Sequence, residues 1–149
     1  MRVVVQRVAW AKVEVDGVTV GECGPGFLAF VGAGKDDTEA SADRAADRVA
    51  GLRVMADDSG KMNLSLAAVR ATEGNQVLAV SNFTLYGDTS QRRPNFVQAA
   101  AAEDGKRLFD HFVEALRSTG LRVATGVFGA DMQVTAQGDG PVTILIEVE

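Results

Sequence analysis

Valines alternate with charged residues near the start of the chain. Val13 and Val15 fall between Lys12, Glu14 and Asp16, the period of two that sends successive side chains to opposite faces of a strand. Asp16-Gly17 supplies a tight hairpin turn, because both residues tolerate positive φ. Val18 and Val20 carry the alternation into a return strand. Gly24-Pro25-Gly26 breaks the chain, and Phe27 to Val31 is a short apolar run suited to a buried strand. The period then lengthens. Asp36 to Val54 reads as a helix capped by Thr38, with Glu39, Asp43 and Asp47 toward its positive end. Asp43 with Asp47, and Arg44 with Arg48, lie four apart on a solvent face, while Val49 and Leu52 begin the apolar stripe. Asp57-Asp58-Ser59-Gly60 is a turn, Gln76 to Val80 a strand, and Gly87 to Pro94 a loop. A second helix spans Glu103 to Ser118 with Leu108, Phe109, Phe112, Val113 and Leu116 on one face, and Gly120 ends it. Three strands follow, near Arg122–Val127, near Met132–Ala136 and over Val142–Val148. In the last, Val142, Ile144, Ile146 and Val148 share a face. The pattern contains no internal repeat or low-complexity linker, and it predicts a strand-rich α+β domain with two main helices.

Length and composition narrow the setting. A chain of 149 residues, 46% of them hydrophobic, is expected to form one domain over residues 1–149 with a real core. Cys23 is the only cysteine, so no intrachain disulfide forms, which fits a reducing compartment. No apolar run approaches the ~20 residues that span a bilayer, and the N-terminus lacks the features of a signal peptide. A cytoplasmic protein without a membrane partner is the expectation. Fifteen basic residues face twenty acidic ones, a net charge of -5. That balance points away from a nucleic-acid phosphate backbone and toward a small-molecule enzyme or a protein-binding module. Nucleic acid would need a local basic patch. Arg92 and Arg93 are the best candidates, with Lys61, Arg70, Lys106 and Arg107 as helpers; the same residues read equally well as scattered solvated charges.

Candidate chemistry is sparse. With one histidine, His111, and one cysteine, the usual zinc ligand sets cannot be built within one chain, so no metal or cofactor is expected. Asp57-Asp58 reads more simply as a turn than as a cation site. A Ser-His-Asp triad would have to use His111, on the flank of the second helix. Gly32-Ala33-Gly34-Lys35 lacks the spacing of a phosphate-binding loop. Two short segments remain: Ser81-Asn82-Phe83-Thr84-Leu85, at the end of a strand, and Gly140-Pro141-Val142-Thr143. Read by themselves, the first is a strand entering a turn with Phe83 and Leu85 as core, and the second contains an X-Pro bond of a kind that is cis only about 5–6% of the time.

Taken together and in this order, with Met1-Arg2-Val3-Val4-Val5-Gln6-Arg7-Val8, Gly60-Lys61-Met62-Asn63-Leu64 and Phe128-Gly129-Ala130-Asp131-Met132, these segments resemble the D-aminoacyl-tRNA deacylases over nearly the whole chain. The resemblance implies a barrel-like strand assembly, a homodimer, aminoacylated tRNA as partner, and hydrolysis of the ester between a D-amino acid and tRNA. It implies that Ser81, Asn82, Phe83 and Thr84 form the active-site strand end. The backbone N–H of Phe83 would serve as oxyanion donor, and the terminal ribose 2′-hydroxyl of the tRNA would help to activate water. Thr84 could be a nucleophile, but the sequence offers no base beside it. Gly140-Pro141 would be a cis pair that reaches into the partner's pocket, grips the substrate's α-ammonium group and leaves no room for an L side chain. Glycyl-tRNA, with no Cβ to exclude, would also be hydrolysed. Arg7 would brace the pair. Phe128 and Met132 would line the neighbouring wall, although ordinary core packing also accounts for them.

The chain departs from the family at three points. Asn82 stands where glutamine is usual, Gly138 where asparagine is usual, and the loop Asp88 to Pro94 is a residue shorter and lacks its glycine. Two other readings compete: a DNA-binding protein without deacylase turnover, and a small barrel that binds an amino-acid-like ligand without turning it over. An editing domain fused to a synthetase would need a second domain.

Overall fold

The strand β1, Arg2–Val15, pairs with three other strands of the main sheet. The computed structural model describes residues 1–69 and 74–149; the helper call on Arg70 lies outside the described residues. The chain continues through β2 (Val18–Cys23), β3 (Gly26–Gly32), α1 (Glu39–Ala50), a two-stranded ribbon of β4 (Met55–Ala56) and β5 (Met62–Leu64), β6 (Val77–Ser81), α2 (Ala102–Ser118), β7 (Val123–Thr125) and β8 (Gln133–Glu147). Two short 3-10 turns, Leu66–Ala68 and Phe83–Tyr86, sit between strands.

β2 and β3 lie along one edge of β1 as successive halves of a long antiparallel hairpin, from Val15↔Val18 to Arg2↔Gly32. Its turn is Asp16-Gly17, with φ of 51° and 78°. β8 pairs antiparallel with the other edge over nearly the full length of β1. β6 adds in parallel to β3, and β7 in parallel to β6. The crossovers these parallel steps require carry the two helices. β7 then comes round to β2 so closely that a Cβ at Gly21 would collide with the Thr125 carbonyl. The sheet is thus a nearly closed barrel, and the chain is an α+β domain.

Two apolar clusters fill it. The alternating residues Val8, Ala11 and Val13 of β1 meet Cys23, Leu28, Leu78 and Val80 inside the curl of the sheet. Val3, Val5, Phe27, Ala29 and Val77 face the helices, where Ala42, Ala45, Ala46 and Val49 of α1 and Leu108, Phe112 and Leu116 of α2 cover them. The predicted face of α2 is the buried one. Val142, Ile144, Ile146 and Val148 do point to one side, becoming more buried along the strand.

Three expectations change. First, α1 starts at Glu39 and ends at Ala50, not Asp36 to Val54. Thr38 accepts from Ser41 N–H while Ser41 Oγ accepts from Thr38 N–H, and this reciprocal cap sets the first turn. Asp36 and Asp37 are left outside. Second, the buried stripe of α1 is mainly alanine, which lets it approach the sheet and α2 closely. Third, the strands expected at Met132–Ala136 and Val142–Val148 are one strand, β8. Gln137 to Pro141 reads as a loop because of its glycines and proline, but β1 offers hydrogen-bond partners on both sides of it. The register slips there, between Gln6 and Trp10, and the strand continues.

The close approach of β2 and β7 predicts a sharp difference between two neighbouring glycines. Gly21→Ala is expected to lose about 1–3 kcal/mol, since backbone must move to admit the methyl group. At Gly24 an added Cβ meets nothing within 4 Å, and Gly24→Ala is expected to stay within about 0.5 kcal/mol of the parent. Urea unfolding of both variants checks this; equal midpoints would mean that the barrel is not closed at Thr125.

Candidate active site

β3 and β6 run side by side and end together, with Val31 opposite Ser81. Their ends form the floor of a cavity of about 590 Å³, a size suited to one small organic group. Phe30, Val31 and Val80 rise from the sheet, and Ala100, Ala102, Gly105 and Phe109 come from the start of α2. Phe128, Gly129, Ala130, Met132 and Val134 close the far side, and Met1 contributes its side chain. Ser81, Asn82 and Phe83 complete the wall. Among the described residues, no Asp, Glu, His or Lys side chain lines the cavity. Small residues at the start of α2 keep it open: at Gly105 a Cβ would already touch Phe128, at 3.5 Å.

The polar wall is built locally. Asn82 N–H donates to Val31 O at 2.8 Å, which ends the strand register. Asn82 then caps the 3-10 turn Phe83–Tyr86: its Oδ1 accepts from Thr84 N–H at 3.2 Å and also from the Thr84 hydroxyl. Leu85 N–H returns to Asn82 O, and Gly87 N–H to Thr84 O. The N–H groups of Asn82, Thr84, Leu85 and Gly87 are thereby paired, while that of Phe83 finds no acceptor among the described residues. Such an orphan donor at the start of a helical turn is the normal consequence of helix geometry, and here it belongs to a residue of the cavity wall.

Ser81, Asn82, Phe83, Phe128 and Met132 are therefore brought together, while the other sequence candidates are not. Thr84 is exposed and is absent from the cavity wall. Its hydroxyl donates to an amide oxygen, which is not a base. Phe83 is not the core residue that the strand-and-turn reading makes it: its side chain is 58% exposed and meets Phe96 edge-on at 5.1 Å. Phe128 packs against Phe109. Met132 places its sulfur where a Cβ on Gly126 would lie only 2.6 Å away.

Gly140-Pro141 has a cis peptide bond and sits on the exposed strand β8, outside the cavity of its own chain. Gly140 has φ +127°, and an added Cβ would come within 2.8 Å of Val142 N and 3.2 Å of Arg7 Nη2. Arg7 holds this corner. Its Nε donates to Asp139 O at 3.1 Å and faces the Asp139 carboxylate at 3.5 Å, while Nη1 donates to Val54 O at 2.7 Å.

Arg92 and Arg93 are exposed on a loop that closes on itself. Asp88 and Asn95 exchange backbone hydrogen bonds of 2.8 and 3.2 Å across its base. Hydrogen bonds from Ser90, backbone first, hold the Asp88 carboxyl below its ordinary range. Phe96, just beyond Asn95, is the residue that meets Phe83. The basic loop is thus tethered to the cavity rim. The helpers do not join it as free charges: Lys106 pairs with Asp110, and Arg107 with Glu39 and Asp104, while Lys61 is exposed beside the β4–β5 ribbon.

Other chemistry falls away. His111 lies 2.8 Å from Asp43 between the helices, not in the cavity. Cys23 is buried, and burial pushes its thiol up to about 11. Among the described residues there is no cluster of three or more His, Cys, Asp or Glu fit for a metal ion, and no helix long and apolar enough to cross a membrane. The sequence reading passed over Asp37 and the alanine-rich entrance to α2. The run Ala99 to Ala102 was the available signal, and it carries no chemistry by itself.

Comparison with known proteins gives one answer. The family model of D-Tyr-tRNA(Tyr) deacylase matches residues 4–147. Proteins named D-aminoacyl-tRNA deacylase are similar over almost their whole lengths. That of Sorangium cellulosum is 54% identical over 99% of this chain and 97% of the relative. That of Geobacter sulfurreducens is 51% identical over 100% and 96%. A solved structure named c-Myc DNA Unwinding Element Binding Protein superposes with a TM-score of 0.92 at 35% identity, covering 100% of this chain and 99% of that one. A probable eukaryotic D-amino acid tRNA deacylase, 18% identical, shares the fold with a TM-score of 0.82 over 99% and 98%. With a family match over residues 4–147 and relatives more than half identical over nearly their whole lengths, the chain belongs to the D-Tyr-tRNA(Tyr) deacylase family.

Proposed function

We propose that this chain, as one domain over residues 1–149, hydrolyses the ester bond of D-aminoacyl-tRNA and releases the D-amino acid and tRNA. Family membership supports the reaction class. The observation that carries the mechanism is that Phe83, on the cavity wall, has an N–H with no acceptor among the described residues. An aminoacyl ester is an activated bond, so its hydrolysis can rest on holding the carbonyl and stabilising the oxyanion that develops on attack. A cavity without a titratable side chain suits that division of labour. The terminal ribose 2′-hydroxyl brought by the tRNA assists the attacking water, and the protein needs no cofactor.

Chirality is read by exclusion. Gly140 and Pro141 lie outside the cavity of their own chain, on a strand whose outer edge has no strand partner among the described residues. A second copy that brings its Gly140-Pro141 corner to this cavity would complete the wall and cover an edge of the kind proteins seldom leave open. The carbonyls of the pair would hold the substrate's α-ammonium group, and their closeness would leave no room for an L side chain. Arg7, bonded to Asp139 and Val54, would keep the corner rigid. Phe128 and Met132 would form the apolar side of the pocket. Arg92 and Arg93, tethered to the rim through Phe96, would take up tRNA phosphates in the cytoplasm, where charged tRNA is found.

The chiral wall is tested on matched D-tyrosyl-, L-tyrosyl- and glycyl-tRNA in single turnovers. Native protein is expected to cleave the first, spare the second and cleave the third at least partly, because a wall cannot reject a group that is absent. Gly140→Ala should lose about 100-fold on the D substrate, since the methyl group is crowded by Val142 and Arg7 and displaces the corner. If glycyl-tRNA proved as resistant as the L substrate, exclusion would be wrong. Sedimentation showing a fully active monomer would defeat the two-chain site.

Thr84→Ala should retain activity within about tenfold of native, as its hydroxyl has no base and lies off the cavity. Near-complete loss with the fold intact, or an acyl group trapped on Thr84, would establish a nucleophile instead.

Affinity for tRNA should fall steeply with salt, and the Arg92→Ala/Arg93→Ala double variant should flatten the slope by about 1.5 to 2 phosphate equivalents. An unchanged slope would remove the loop from the tRNA surface. The same titration with duplex DNA tests the competing reading suggested by the 35% identical relative's name. Specific DNA binding without deacylase turnover would favour it, against the net charge of -5.

A further inference from the structure

Asp37 is a carboxylate with only 6% of its side chain exposed, and α1 does not use it, since Thr38 is the cap. A charge buried to this extent is tolerated only when it is fully bonded. Its Oδ1 accepts from the α-ammonium of Met1 at 2.6 Å, and that ammonium also donates to Val148 O. Oδ2 accepts from Gly34 N–H at 2.6 Å and from the Tyr86 hydroxyl at 3.3 Å. Tyr86 is the last residue of the 3-10 turn whose first residue is Phe83.

Further contacts grip the same end of that turn. The Arg2 guanidinium lies 4.6 Å over the Tyr86 ring, and its Nη1 donates to Leu85 O at 2.9 Å. The ring lies flat on Gly34, where a Cβ would meet three of its atoms at 2.8 to 2.9 Å. The other end is set by Asn82, through Val31 O and its own cap. A four-residue turn held at both ends has little freedom left, and its first residue, Phe83, is on the cavity wall.

We propose that Asp37 and Tyr86 are positioning residues for the reaction: through their hydrogen bond, anchored by the Met1 ammonium, they hold the Phe83–Tyr86 turn so that the Phe83 N–H stays aimed at the developing oxyanion. This rests on the reading of Phe83 as the oxyanion donor. Neither residue touches the substrate; both act through the turn. Burial, then the Asp37 charge, pushes the Tyr86 phenol up to about 12, so it remains a donor throughout the physiological range.

The deciding variant is Tyr86→Phe, which removes the hydroxyl and leaves the ring on Gly34. On D-tyrosyl-tRNA it should lower kcat about tenfold with KM unchanged within about twofold, because the lost interaction is expressed in the transition state. Amide resonances of Phe83 and Thr84 should shift in the protein without substrate. Asp37→Asn should do the same more strongly. That variant leaves a buried ammonium without its counter-charge and can lose the fold, so the argument stands on Tyr86→Phe. In the double variant the two losses should not add, as expected for one chain of bonds. Unchanged kcat and unchanged resonances in Tyr86→Phe would overturn the proposal, as would a joint fall in kcat and rise in KM accompanied by a lower Tm, the mark of a merely structural residue. If the native protein failed to cleave D-tyrosyl-tRNA, the catalytic reading would fall first, and the resonance shifts would still decide whether Asp37 and Tyr86 hold the turn.

Discussion

The pairing of β1 along both edges is the constraint on which the rest of the molecule depends. A strand with hydrogen-bonded neighbours on each side cannot slip by one residue without turning Val3, Val5, Val8, Ala11 and Val13 out of two cores. Its register with β3 fixes where β3 ends. The parallel step to β6 then fixes where Ser81 and Asn82 fall, opposite Val31. Along the other edge the same strand carries β8 through its glycine-proline corner and holds that corner with Arg7. The cavity wall and the Gly140-Pro141 corner are therefore indexed to one strand, though they face different places.

The site itself is notable for the side chains it lacks. Its polar wall is built by Ser81, Asn82 and Phe83, where β6 gives way to a 3-10 turn. Asn82 shows how local chemistry makes this work. Its short side chain reaches forward onto Thr84 and occupies the turn's second donor, while the Phe83 N–H meets no acceptor among the described residues. The Asn82 side chain thus serves the turn and also engages the Thr84 hydroxyl. Function of this kind depends on how stiffly a backbone group is held, which is why residues outside the cavity, down to the first two of the chain, bear on it.

Much of this was legible in the sequence. Alternation gave β1 and β2, Asp16-Gly17 gave their turn, and the three-and-four spacing of Leu108 to Leu116 gave the buried face of α2, because these signals are local and a residue's neighbours in sequence are its neighbours on the face. The segments at Ser81–Leu85 and Gly140–Thr143 gave the family. The limits of α1 were overestimated because Thr38 and Ser41 close a cap that excludes Asp36 and Asp37, and an alanine stripe has no contrast against an alanine-rich sequence. β8 was divided in two because Gly138, Gly140 and Pro141 read as a loop on any local rule; only the partner edge of β1 makes a strand of them.

What the sequence determined by itself was the class of fold, the family, and which residues to watch, since strand and helix periods and short ordered motifs are properties of the chain alone. What only the tertiary structure decided was which of those residues share a space. It put Phe83 at an exposed rim with an N–H that has no acceptor among the described residues, left Thr84 off the cavity, set Gly140-Pro141 outside it, and joined Met1 to Asp37 and Tyr86 across the fold. Each of these is a relation between segments tens of residues apart. Such relations are fixed by strand register and by burial of charge, which local sequence does not encode.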